Sequence, residues 1–344
     1  MDPLTHGLAS FAATRAFFPR ASRLTIVAAV AAGTAADLDE LSAFFGPSAY
    51  FAAHHTWTHS LLGTVLLALF AAALLSALFP GVDRFAVTAS KDHHLPRFLP
   101  AFAAALLAAA LHLAMDLAQA GGVALFWPFR THRYALDWLG GVDPWILAIL
   151  AAGVLFPMLL RLVTEEIGAK EKGPRGRAGA VLALLAVLAY TGARASLHAG
   201  AVAALESRTY RGQIARRAAA FPEAASPFAW RGIVETESAL HLVAVPAGPG
   251  ASFNPEAGQT IFKPEPSAAL DAARDTDAAR RFLAVARFPK ATVEKTPEGY
   301  RVALRDLACA AAGESARALA AVIDLSPDAQ IRRQAIVWER DLTQ

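Results

Sequence analysis

Cysteine is almost missing from this chain: Cys309 is the single thiol in 344 residues. That excludes an internal disulfide and a closed thiolate zinc site, and says nothing of the compartment. The opening Met1-Asp2-Pro3-Leu4-Thr5-His6 lacks the basic n-region of a signal peptide, so its polar residues are expected to stay in the mature protein. Net charge is only +3, with a pI near 9.2. The basic residues are scattered over loops and the last third, with no aromatic-interleaved basic stripe, so no nucleic-acid partner is expected. Lysine and arginine are absent between Asp37 and Ser60. No long apolar run follows residue 205, and no internal repeat is evident.

What the chain does have is apolar sequence. Hydrophobic residues make up 55% and mean hydropathy is +0.38, above a soluble average of roughly 45–50%. Alanine supplies much of that excess, so the runs must decide. Leu61–Phe79 is free of charge, and Phe98–Met115 has His112 as its one ionisable group. Trp145–Leu160 and Ala178–Ala193 are shorter and equally clean. A spanning helix needs roughly 20 apolar residues, and these segments predict four spans. Asp143-Pro144 supplies an N-cap and N1 pair for the third, and Gly173-Pro174-Arg175-Gly176 breaks the chain before the fourth. Leu4–Phe18 and Leu24–Ala36 read as two short apolar helices, tilted or recessed in the membrane.

The positive-inside rule orients these spans. One set of connections carries Arg15, Arg20, Arg23, Arg84, Lys91, Arg97, Arg161, Lys170, Lys172, Arg175 and Arg177. The alternate set carries only Arg130 and Arg133. The first set is expected in the cytoplasm, which puts the N-terminus and everything after the last span outside.

Residues 205–344 change character. Arg208, Arg211, Arg216 and Arg217 suggest an amphipathic helix, and Asp271–Val285 reads as another. Short β-type segments fall at Trp230–Glu235, Leu240–Val245, Gln259–Phe262, Tyr300–Leu304, Ala318–Ile323 and Ala335–Trp338. The expected fold is thus a polytopic α-helical membrane domain, residues 1–204, followed by a small soluble extracytoplasmic α+β domain, 205–344, with an antiparallel sheet.

Seven polar residues sit at the ends of apolar segments: His6, Asp37, Asp39, His55, His59, His112 and Asp116. All fall on the side that the charge count places outside. His55/His59 and His112/Asp116 are four apart, a spacing that puts both members on one face of a helix. Asp37 and Asp39 fit better at a helix end, one bridging metals and the other a terminal ligand, an orienter of a histidine or a general base. Ionisable groups in membranes are costly and tend to be paired or functional. Mixed imidazole and carboxylate donors suit zinc, manganese or iron, as one divalent ion or two, with a coordination position left open for hydrolysis. His54 reads as supporting or solvated, and His93 and His94 as surface. His198 and His241 have no partner in sequence. Arg130, His132 and Arg133 are candidates for contact with an anionic substrate group, beside the interfacial anchors Trp127 and Tyr134. Asp137 supports either a structural or a site role.

Met1-Asp2-Pro3-Leu4-Thr5-His6-Gly7, Asp37-Leu38-Asp39, His55-Thr56-Trp57-Thr58-His59-Ser60, His112-Leu113-Ala114-Met115-Asp116 and Trp127-Pro128-Phe129 together resemble the YdjM-type family of bacterial inner-membrane proteins, regarded as metal-dependent hydrolases. The resemblance is best over residues 1–140, and Ser226-Pro227-Phe228-Ala229-Trp230-Arg231 is similar to the C-terminal domain of longer members. Ala36 stands where the family usually has proline before the paired aspartates. Thr56 follows His55 where an arginine is usual, which removes a basic residue near the site. The resemblance implies a membrane-bound hydrolase in the inner membrane, with water activated by metal and directed at a phosphoester or ester of a lipid-like substrate. A metal or proton transporter is the competing reading, although the cytoplasmic helix halves look apolar. A metal-stabilised scaffold or sensor is another.

Overall fold

The computed structural model describes residues 1–79, 98–166, 176–223, 226–248, 250–313 and 318–342. The helical part begins with α1, Pro3–Phe17, and α2, Arg23–Ala35; Asp2 and Ser22 cap their first turns through backbone N–H groups of Thr5 and Thr25. α2 runs directly into a 3₁₀ helix, Ala36–Phe45, followed by the short α3, Pro47–Ala53. Then come α4, Leu61–Leu78, α5, Phe98–Leu117, α6, Pro144–Glu166, and α7, Arg177–Glu206. Among the described residues three helices are long and apolar enough to cross a membrane: α4, α5 and α7. The stretch expected as a further span opens as foreseen, with Asp143 accepting from the backbone of Trp145 and Ile146. Its described apolar portion, Pro144–Pro157, is shorter than a full crossing. The break foreseen at Gly173–Arg175, and with it His93 and His94, lies outside the described residues.

Alanine explains how the first helices pack. Ala28, Ala29 and Ala32 of α2 are buried against Ala101, Ala104, Ala105 and Ala108 of α5, with Ala68, Ala71 and Ala72 of α4 closing the group. Lipid tails are as apolar as leucine, so helices in a bilayer gain most from close backbone approach between small residues. Gly33 continues this row: a Cβ there would lie 1.9 Å from Ser10 Oγ and 2.9 Å from Ser10 Cβ.

The C-terminal part is sheet-rich. A two-stranded hairpin, β1 (Thr209–Tyr210) and β2 (Gln213–Ile214), precedes β3 (Arg217–Pro222), β4 (Ala229–Glu235), β5 (Ala239–Pro246) and β6 (Gln259–Phe262), which form one antiparallel sheet in chain order. Two short helices, α8 (Ala268–Arg274) and α9 (Asp277–Leu283), lead to β7 (Pro289–Thr296) and β8 (Gly299–Asp306). After α10 (Leu307–Ala311), β9 (Leu319–Leu325) and β10 (Ile331–Trp338) complete a second antiparallel sheet in the order β10-β9-β8-β7.

All six expected β segments are strands. Two expected helices differ. The Arg208–Arg217 stretch is a hairpin because Arg211 and Gly212 both take left-handed φ, +49° and +78°, and reverse the chain between paired Tyr210 and Gln213. The Asp271–Val285 helix is divided, because Thr276 leaves the helix to cap α9 through the Ala279 N–H. Strands β3 and β7 escape notice in sequence: one is alanine-rich, and the other is an edge strand with charges that blur its alternation.

The sheet-rich part is fastened beside the loop between α5 and α6. Arg287 makes a two-pronged ion pair with buried Asp137, both bonds 2.6 Å, and also donates to Ala120 O. Asp137 itself has a φ of +58°. The side-chain nitrogens of buried Arg194 on α7 donate to carbonyls of Trp138 and Pro227, and its guanidinium lies 4.2 Å from the Trp230 ring centre. Tyr50 of α3 meets Trp338 of β10 at 5.2 Å between rings. Removing one member of a buried pair strands the other charge. Arg287→Ala is therefore expected to destabilise the protein by about 3 kcal/mol. A depressed unfolding temperature and faster proteolysis between residues 118 and 143 would show it; an unchanged midpoint would mean the pair holds nothing.

Candidate metal centre

α5 ends in the middle of the site. Its regular helix places His112 and Asp116 one turn apart, with His112 Nε2 3.0 Å from Asp116 Oδ2. α1 brings His6, whose Nε2 lies 3.1 Å from Asp116 Oδ1 and whose ring stacks on His112 at 3.8 Å. The 3₁₀ helix after α2 brings Asp37 and Asp39. His55 and His59 arrive on the irregular stretch between α3 and α4, not on one helix as their spacing suggested. His55 has φ +56°, and Ala124 N–H donates to its carbonyl. The two rings nevertheless converge, with centroids 4.5 Å apart.

Three histidines are oriented by the same device. His112 Nδ1 is 2.8 Å from Gly33 O, and His55 Nδ1 is 2.9 Å from Gly122 O. His59 Nδ1 is 3.0 Å from Asp39 Oδ2. A carbonyl or carboxylate oxygen can only accept, so each Nδ1 carries a hydrogen, and in the neutral ring Nε2 is then the nitrogen with the lone pair. Asp39 can play this part because it is ionised. Burial works against its charge, but hydrogen bonds from His54 and His59 outweigh that and hold its carboxyl below the ordinary range. Thr58 Oγ1 and the His55 N–H donate to the same carboxylate, each at 2.9 Å.

The bare nitrogens face one another and a carboxylate. His59 Nε2 is 3.2 Å from His112 Nε2 and 3.1 Å from Asp116 Oδ2. Asp37 Oδ1 is 3.7 Å from His112 Nε2. Asp116 Oδ1 also takes hydrogen bonds from the Met1 amino group and the Gln119 side chain. His59 and Asp116 are wholly buried. Acceptors crowded this way need a cation between them. Burial opposes a proton on His59, yet its contacts with Asp116 and Asp39 push its pKa up to about 9.

A divalent metal fits this donor set. Bonds of about 2.1 Å in tetrahedral geometry separate neighbouring ligand atoms by roughly 3.4 Å, close to the spacings above. Three buried polar atoms of the cluster, Asp37 Oδ2, Asp116 Oδ2 and His6 Nδ1, have no hydrogen-bond partner, an expensive condition that a bound cation at the site would relieve. Donor atoms within 4.8 Å of one another fall into two groups, His6/Asp37/His112/Asp116 and His55/His59/Asp116. Asp116 is common to both, so the shared carboxylate sits on α5, whereas sequence placed a bridging role on the Asp37/Asp39 pair.

The other sequence candidates lie further out. Asp39 belongs to neither donor group; both its oxygens are spent on His54, Thr58, the His55 backbone and His59. His54 supports Asp39 from behind, with Nδ1 3.1 Å from Oδ1. Arg133 borders the site by donating to His54 O at 2.8 Å. Arg130 and His132 are exposed on the surface, the latter edge-on to Tyr134 at 4.8 Å. His198 lies near Trp230, and His241 among Thr236, Thr260 and Tyr210. Sequence reasoning missed Gly33, Gly122, Thr58 and Gln119. The first two act through backbone carbonyls, which leave no side-chain signature; the small-residue row Ala28-Ala29-Ala32-Gly33 is the signal that could have marked a close approach.

A bundle of apolar helices around a buried imidazole–carboxylate cluster defines a membrane protein with a candidate metal centre. The chain belongs to the YdjM family: the family model described as YdjM inner membrane protein matches residues 1–201. No curated protein and no solved structure matches it.

The glycine offers a clean test of the orienting device. Gly33→Ala drives a Cβ into Ser10 and displaces the carbonyl that holds His112. Metal affinity, measured by competition with a chromogenic chelator, is expected to fall about 10- to 100-fold, the usual cost of losing an outer-shell partner. Adding Ser10→Gly should restore much of it; affinity equal to wild type in the single variant would contradict the role given to Gly33.

Proposed function

We propose that this protein is a multi-pass inner-membrane hydrolase in which α6 completes a fourth crossing and the metal centre and C-terminal domain face the extracytoplasmic side. The orientation is supported by the charge bias between alternate connections. The reaction is supported above all by one observation: the group His55/His59/Asp116 offers three donors, which leaves a coordination position open. A fully closed donor set would instead suit a scaffold. A metal bound there, zinc by donor type with manganese and iron as close alternatives, would supply Lewis acidity and an activated water.

The protein's own residues divide the remaining work. Asp116 and the histidines hold the charge in place, and Asp39 keeps His59 in one tautomer. Asp37 suits the general base: it has an oxygen with no partner, and burial pushes its carboxyl up to about 6, close to the pH at which it would work. Arg133, which donates to His54 O, is the cation that would meet an incoming anionic group. The substrate class that suits a site between apolar helices is a lipid-like phosphoester or ester, delivered by lateral diffusion.

Purified protein loaded with zinc or manganese and mixed with bacterial lipid extract is expected to release phosphate or fatty acid. Asp37→Asn should lower the rate by about 100-fold or more while retaining metal at the His55/His59/Asp116 group, which lacks Asp37, whereas His59→Ala should lose both. Failure of the wild type to bind any transition metal defeats the proposal. So does full activity in Asp37→Asn, as regards the base. A reporter fused after Gln344 that is active only in the cytoplasm would reverse the orientation.

A further inference from the structure

The 3₁₀ helix that carries both site aspartates has a second face that the metal centre does not use. At ten residues it is long for its type, which rarely exceeds three or four. With three residues per turn, side chains three apart eclipse. Leu38, Leu41 and Phe44 therefore form one ridge, and they are 63%, 52% and 86% exposed. Phe45, next to the ridge, is 84% exposed. Asp39 lies on a different row, buried toward His54, Thr58 and His59. Large apolar patches of this kind mark interaction surfaces.

What covers the ridge follows from what it adjoins. Asp39 is bonded to Thr58 and His59, immediately before α4. α4 is apolar enough to cross a bilayer, and Leu61, Val65 and Leu69 along it are exposed. Another part of the same helix end is joined by Leu61 N–H donating to Leu125 O at 3.0 Å, and there Phe126 and Phe129 are also exposed. The helix that carries the ridge and this loop thus both adjoin the N-terminal end of α4, beside the metal centre. No lysine or arginine interrupts residues 37–60.

We infer that the Leu38–Leu41–Phe44 ridge is sunk into the leaflet beside the metal centre, making the bilayer the partner that seats the helix bearing Asp37 and Asp39. This rests on the chain lying in a membrane and not on the reaction proposed above. Amphipathic helices lie in the interface in this way, with their apolar face some way into the acyl boundary. Here the opposite side of such a helix contributes to a buried site, so lipid contact and the position of two carboxylates are mechanically joined.

The test uses the full chain in phosphatidylcholine–phosphatidylglycerol vesicles, with Cys309→Ser removing the native thiol. Single-cysteine variants Phe44→Cys, Leu66→Cys and Phe262→Cys carry an environment-sensitive nitrobenzoxadiazole label; Leu66 is an exposed residue of α4 and Phe262 one of β6. The label at 44 is expected to emit at shorter wavelength than that at 262. Brominated acyl chains should quench it as they quench the label at 66, and aqueous iodide should not reach it. Leu41→Cys repeats the measurement on the same ridge should the label at 44 disturb folding. Quenching by iodide and not by brominated lipid overturns the inference. Protection from both quenchers overturns it too, since a protein surface would then cover the ridge.

Discussion

Everything around the candidate centre depends on three imidazoles being tied down by their Nδ1 hydrogens. Gly33 O, Gly122 O and the Asp39 carboxylate accept those hydrogens, and the choice of tautomer follows without further help. Bare Nε2 atoms then have to face inward around Asp116. A cluster of acceptors buried among apolar helices is tolerable only with positive charge at its centre. The device also explains why the surrounding helices approach so closely: Gly33 O reaches His112 because α2 and α5 meet on alanine and glycine.

The two halves of the chain share this centre more closely than a division at residue 204 implies. The loop between α5 and α6 supplies Gly122, which orients His55, and Asp137, which grips Arg287 of the sheet-rich part. Trp338 touches Tyr50, which stacks on His54 at 4.4 Å, which in turn holds Asp39. A path of direct contacts therefore runs from the last strand to the His59 ring.

The sequence showed the cast of this site better than its geometry. His112 and Asp116 could be paired because α5 is a regular helix and a spacing of four has one meaning there. His55 and His59 have the same spacing but reach the site through a left-handed residue and a turn, which periodicity does not encode. Asp37 and Asp39 were legible as a helix-end pair. Their division, one oxygen left over for the centre and one carboxylate spent on histidines, depends on tertiary contacts with residues 54–59. In the last third, alternation revealed strands with a buried face, whereas alanine-rich β3 and charged edge strand β7 carried no such contrast. The hairpin at Arg211-Gly212 was hidden because a cluster of arginines resembles a helix face until the backbone is seen to reverse.

The length of α7 has a mechanical meaning. Thirty residues make a rod of about 45 Å, while a hydrocarbon core is about 30 Å thick. The rod begins near the base of the bundle and ends under the first sheet, so it is a lever. A change in its tilt of about 10° would sweep its far end through roughly 8 Å, more than the 4.8 Å that bounds the donor atoms of either group. Helices tilt when bilayer thickness changes. Arg194, midway along the rod, ties it to Trp138 O and Pro227 O, and the Arg287–Asp137 pair ties the sheet-rich part to the same loop, so both bonds resist that movement.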